Sequence, residues 1–238
     1  MAFLRNPGRL AGLLYVLASA LGVFALIYVP NRLIVNGNAA ATSHNILASE
    51  TLYRLAIAGN LLGEALFVFA ALALYDLFKS VNQRQALWML TLILVAIPIA
   101  FLNELNTIAA LVLVHGTGSL SLFDQPHRDA LAMLFLNLHG YGFDVAGIFW
   151  GLWLFPLGLL VIRSGFLPRI LGWALLANCF AFPINSLTAL VLPQYDAVVS
   201  RWMRPLHFGE QAFMLWLMIM GAKQKSDESR STAFATAK

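Results

Sequence analysis

Residues 10–29 read LAGLLYVLASALGVFALIYV, twenty residues without a charge. A helix of that length is about 30 Å long, which matches the hydrocarbon core of a bilayer. Arg5 and Arg9 precede it, and Ala18-Ser19-Ala20 imitates a signal-cleavage site. The apolar run continues through Leu21, Val23, Phe24 and Ile27, too long for the h-region of a signal peptide. The stretch therefore reads as a first membrane helix.

The rest of the chain is built alike. Of its 238 residues, 60% are hydrophobic and 11% charged, where a soluble domain carries about 25% charge. A water-soluble globule of this size would need a polar coat that the composition cannot supply, so lipid is the solvent for much of the surface. The expected fold is all-α, a polytopic transmembrane bundle with spans at about 10–29, 53–77, 86–114, 129–162, 170–192 and 206–222. Pro30-Asn31 is expected to stop the first helix and residues 79–85 to form a polar hairpin. His115 to Ser119 and Asp124-Gln125-Pro126 form a turn-rich loop, and Arg163-Ser164-Gly165 ends the fourth span. Residues 223–238 read as a polar, disordered cytoplasmic tail.

Orientation follows from Lys and Arg. With six spans both ends share a side, which then holds Arg5, Arg9, Lys79, Arg84, Arg163, Arg169 and the tail's Lys223, Lys225, Arg230 and Lys238. Arg32, Arg54, Arg128, Arg201 and Arg204 fall on the other side. Ten against five predicts cytoplasmic termini. The net charge of +4 thus speaks for topology and not for nucleic acid. The single cysteine, Cys179, allows no intrachain disulfide.

Polar groups inside the spans carry whatever function there is. Glu64, Glu104, Asp144 and Glu210 are carboxylates at membrane depth, joined by Asn60, Asn103, Asn106, Asn137, Asn178, Asn185, His139 and His207. Each costs a few kcal/mol, roughly, if left facing lipid, so each is expected to face the bundle interior. Most map to the outer half, which suggests a polar pocket opening outward and closed below by apolar packing. Asn60 and Glu64, at i and i+4, share a face, as do His207 and Glu210 at i and i+3, whereas His139 and Asp144 do not. Asn178 is a candidate hydrogen-bond partner for Glu64. Asp76 and Lys79 are spaced for an interfacial ion pair, and His44, His115 and His127 read as solvated loop residues. Pro98, Pro156 and Pro183 each free a carbonyl four residues back, at Leu94, Leu152 and Cys179.

Three functions are open. The preferred one is a small-molecule or ion binding or transport-like module, its ligand a small polar molecule or cation. Its candidate site is Glu64, Asn60, Asn103, Glu104, Asp144 and Glu210. The second is an intramembrane metal-dependent enzyme of hydrolase type, with a divalent metal on Glu64, Glu104, His139, His207 and Glu210. The third is a structural or accessory protein whose polar residues only pack helices. No HExxH, Gly-x-Ser-x-Gly, phosphate loop or dinucleotide fingerprint is present, so no catalytic residue is assigned.

Several stretches resemble an uncharacterised family of bacterial multi-pass membrane proteins, domain of unknown function 4386. They are Ala11-Gly12-Leu13-Leu14-Tyr15, Asn45-Ile46-Leu47-Ala48-Ser49-Glu50, Leu74-Tyr75-Asp76-Leu77-Phe78-Lys79, Leu138-His139-Gly140-Tyr141-Gly142 and, most specific, Arg163-Ser164-Gly165-Phe166-Leu167-Pro168-Arg169-Ile170-Leu171-Gly172. The resemblance implies a bacterial inner-membrane location and no reaction. Where a second family histidine is expected, after Gly151-Leu152, this chain has Trp153.

Overall fold

The computed structural model describes residues 6–222, which form helices and their connections without a strand. The tail 223–238 lies outside the described residues.

The first helix, α1 (Pro7–Val23), passes through a wide π turn at Phe24–Tyr28 into α2 (Val29–Leu33). Pro30 thus does not stop the helix as expected. It sits in the first turn of α2, and the loosened turn before it absorbs the missing N–H donor. A short helix, α3 (Ala39–Ala48), follows where only a connection was expected, capped by the Asn38 side chain on the Ala41 N–H.

The longest helix, α4 (Glu50–His115), has 66 residues. Straight, it would reach about 100 Å, three times the hydrocarbon thickness. Asn82 breaks it with extended backbone (φ −159°, ψ 104°), and the limbs 50–81 and 83–115 run side by side. Tyr53 donates to the Thr107 carbonyl at 2.9 Å, Asn60 donates to Glu104, and the ends meet where His115 lies 3.2 Å from Glu50. Lys79 and Asp76 form the expected pair near the hairpin, 2.6 Å apart and exposed.

Next come α5 (Gln125–Leu152) and α6 (Leu154–Ser164), separated only at Trp153. The stretch expected as one span is thus jointed three residues before Pro156, whose ring offers the Leu152 carbonyl no N–H donor. Asp124 caps α5 by accepting from the His127 N–H at 3.0 Å. That bond, with the His127 ring beside it, holds the Asp124 carboxyl below the usual range. The last two are α7 (Arg169–Val191) and α8 (Asp196–Met220).

Among the described residues four helical stretches are long and apolar enough to cross a membrane: Pro7–Leu33, Glu50–His115, Gln125–Ser164 and Arg169–Val191. A fifth helix of comparable length, α8, carries Asp196, Arg201, Arg204 and Glu210 and is not among them. Large apolar side chains such as Phe69, Leu102, Ile170 and Phe208 point outward and are mostly exposed. An apolar exterior on helices of this length is the construction of a membrane protein.

The helices close a ring in which α1 packs on α4, α4 on α5, α5 on α7, α7 on α8 and α8 on α1. Small residues let them approach. A Cβ on Gly12 would strike the backbone of Met218, and one on Gly209 would lie 2.6 Å from the Ala174 carbonyl. Two apolar cores fill the ring. The larger surrounds Leu74, Phe78, Met89, Ile93, Trp153 and Phe213; the smaller surrounds Val29, Ile46, Leu111, Val114 and Leu136. On both limbs of α4 and on α5, the polar residues Asn60, Glu64, Asn103, Glu104 and His139 fall between these two cores in sequence. The fold therefore sandwiches a polar layer between two greasy ones.

Candidate functional site

Glu104 is the hub of that layer. It is almost fully buried on the second limb of α4. Its Oε1 accepts from Asn60 Nδ2 on the first limb and lies 3.1 Å from His139 Nε2 on α5. Its Oε2 accepts from Thr107 Oγ1 at 2.8 Å. A buried carboxylate needs such donors, because desolvation penalises a charge without partners. Asn103, one residue earlier, donates to the His139 carbonyl at 2.8 Å and accepts from Asn106 at 3.0 Å. The close approach of α4 and α5 depends on Gly142, because a Cβ there would run into the Asn103 amide.

Beside Glu104 lies a cavity of about 230 Å³. Asn60, Glu104, Thr107 and His139 form its polar end. Its other walls are apolar, from Ala25, Leu26, Val29, Leu33, Ala56, Ile57 and Leu136, with Tyr53 and Pro30 at the side. The π turn and α2 thus contribute one whole wall. The arrangement suits a molecule with an apolar body and a single group able to donate to Glu104.

The remaining expected site residues go elsewhere. Glu210 on α8 accepts from the Tyr15 hydroxyl on α1 and from Asn178 Nδ2 on α7 at 3.3 Å. Asn178 was the partner expected for Glu64; it serves Glu210 instead, since α7 lies against α8 and not against α4. Glu64 keeps one buried oxygen, Oε2, without a hydrogen-bond partner among the described residues, and the nearest charge acting on it is Glu104. Asp144 lines a second cavity with Asn185 and His207. Of the six residues expected to share a pocket, Asn60 and Glu104 line one cavity, Asp144 lines another, and Glu64, Asn103 and Glu210 line neither. His139 and Asp144 do part company, as their angular separation on α5 predicts.

The five expected metal ligands do not fit a metal. Glu104 and His139 meet, but His207 pairs with Asn185 at 3.2 Å while Glu210, one turn on, pairs with Tyr15 and Asn178. Among the described residues no three His, Cys, Asp or Glu side chains converge as a metal ion requires.

A family described as Domain of unknown function (DUF4386) matches residues 10–221, nearly the whole described chain. The chain belongs to this family. An uncharacterized protein of Archaeoglobus fulgidus is 35% identical over 80 residues, covering 34% of this chain and 46% of that relative. The chain thus matches less than half the length of that relative. No solved structure matches.

The positions that resembled the DUF4386 family now have physical roles. In Leu138–Gly142, His139 reaches Glu104 and Gly142 makes room for Asn103. In the stretch ending at Gly172, that glycine meets Gly158 of α6, where a Cβ would lie 2.7 Å from the Gly158 carbonyl. Trp153, standing where a histidine was expected, is fully buried and packs edge-on against Phe67, with ring centroids 5.4 Å apart, and beside Tyr15 at 5.9 Å. The chain therefore puts aromatic packing, not a second imidazole, beneath the Tyr15–Glu210 bond. Sequence reading missed Tyr53, Thr107, Tyr15 and the wall formed by α2. An aromatic hydroxyl or threonine in an apolar run carries no signal of its own until a partner helix is known.

Proposed function

We propose that this chain crosses the membrane six times with both ends cytoplasmic, in a bacterial inner membrane. There it binds a small amphipathic molecule in the Glu104 cavity. Counting the two limbs of α4 separately, and α8, whose His207 and Glu210 bond to α7 and α1, makes six passes. The outer ends of the limbs, at Glu50 and His115, then lie on the non-cytoplasmic side, as does the cavity. The observation that carries the reading is the cavity itself: a polar end of Asn60, Glu104, Thr107 and His139 facing apolar walls. Its polar residues come from both limbs of α4 and from α5, so a ligand there would bridge the hairpin to the rest of the ring.

Native mass spectrometry of the protein released from mild detergent tests this. The wild type should carry a co-purified small molecule, and Ala56→Phe, which fills the cavity, should lose it. Identical spectra for the two proteins would defeat the reading.

One observation favours a second reading, that of a structural protein. Both Glu104 oxygens already have protein donors. Such a carboxylate can act purely as a cross-link between helices, worth about 1 kcal/mol per bond in a membrane. Retained folding with an empty cavity in every preparation would point that way.

A further inference from the structure

We propose that the second cavity, enclosed by α5, α7 and α8, is a separate binding site for a small organic ammonium ion. It has a volume of about 270 Å³ and presents Asp144 from α5, Asn185 from α7, and Asp196, Ser200 and His207 from α8. Among the described residues no Lys or Arg lines it, so its two carboxylates face the space without a counter-charge. Asp144 in particular has no hydrogen bond or ion pair to any described residue, although it sits half-buried within a membrane-length helix. Among the described residues Asp196 is held by the Ser200 hydroxyl alone, at 3.1 Å, and the two carboxylates line the same cavity. Two carboxylates in one cavity, one of them within a membrane-length helix, call for a cation.

The other polar groups are also unfinished. Asn185 Nδ2 donates to His207 Nε2 at 3.2 Å, which places the imidazole proton on Nδ1. Asn185 Oδ1 and His207 Nδ1 are then both buried without a partner among the described residues. A free acceptor beside two carboxylates matches the N–H groups of an ammonium. Phe143 and Phe182 complete the walls; Phe182 stands edge-on to the His207 ring at 4.4 Å, and aromatic rings attract organic cations. A bare metal ion fits poorly, because no three ligating side chains converge among the described residues. An organic cation needs no such convergence. Gly147 keeps the floor open, since a Cβ there would lie 2.6 Å from Ser186 Oγ.

The experiment is thermal unfolding of the purified full chain in detergent with n-butylammonium chloride. Equal concentrations of sodium chloride and of n-butanol control for ionic strength and for the alkyl chain. The ammonium salt should raise the wild-type Tm by roughly 3 °C over both controls at about tenfold its Kd. The rise should vanish in Asp144→Asn and shrink in Asp196→Asn, and it should persist when the exposed carboxylate Asp76 is changed to Asn. No rise in the wild type overturns the proposal, as does a full rise in Asp144→Asn. If Asp144→Asn does not fold, a full rise in Asp196→Asn has the same force. A rise lost in Glu104→Gln instead would move the ammonium to the first cavity and also overturn it. Failure of the ammonium to bind the second cavity leaves the reading of the Glu104 cavity standing, which native mass spectrometry tests separately.

Discussion

The side chain of Asn6 holds the backbone of Ala222 by both edges: Nδ2 donates to its carbonyl at 3.0 Å and Oδ1 accepts from its N–H at 3.2 Å. The same Oδ1 caps α1 through the Gly8 and Arg9 N–H groups. The start of the first helix and the end of the last are therefore joined on one face of the ring. Two ends on one face require an even number of crossings, a condition that the proposed six-pass arrangement meets.

The joined ends make topology directly testable. Given the ten-to-five distribution of Lys and Arg, both ends should be cytoplasmic. Alkaline phosphatase fused after Lys225 should be inactive, and fused between Gly116 and Gln125 it should be active. The opposite pattern would invert the bundle and put the Glu104 cavity on the cytoplasmic side.

Glu104 should be more costly to remove than to neutralise. Glu104→Leu strands the Asn60 amide and the His139 imidazole in an apolar layer, which should lower stability by about 2 kcal/mol. Glu104→Gln keeps the shape and two hydrogen-bonding atoms, so its loss should stay within about 1 kcal/mol. Thermal unfolding in detergent orders the two. An equal loss for both would show that the charge, and not the hydrogen-bond network, is what the site requires.

Glu64 behaves differently, because its buried Oε2 has no hydrogen-bond partner to lose among the described residues. Glu64→Gln is expected to unfold at or above the wild-type Tm, since it leaves the shape intact and removes a buried acid that no described residue stabilises as a charge. A marked drop in Tm would reveal that the carboxylate is held by a cation, which a titration with added salts would then identify.

Two neighbouring glycines should part company. Gly142→Ala sets a Cβ against the Asn103 amide and should cost roughly 1–3 kcal/mol as the α4–α5 contact opens. Gly140→Ala meets nothing within 4 Å and should be neutral or slightly stabilising, because alanine is the better helix former. Comparable Tm values for the two variants would mean that Gly142 is not a packing contact.

Sequence alone decided the solvent, the class and the inventory. Uncharged runs such as 10–29 admit only helices in lipid, because a bilayer offers backbone groups no other partner. The cost of a carboxylate at membrane depth marks Glu64, Glu104, Asp144 and Glu210 without any neighbour being known. The pairing was not legible. Asn60 and Glu64 share a face one turn apart, yet Asn60 meets Glu104, 44 residues away, while Glu64 is left with an unmet oxygen. Helical periodicity reports the direction of a side chain around its own axis and says nothing of which helix stands there. That choice belonged to the ring order, set by where small residues such as Gly12, Gly142 and Gly209 let backbones close in. The ring order is what divided one expected pocket into the Glu104 cavity, the Asp144 cavity and the Tyr15–Glu210 bond.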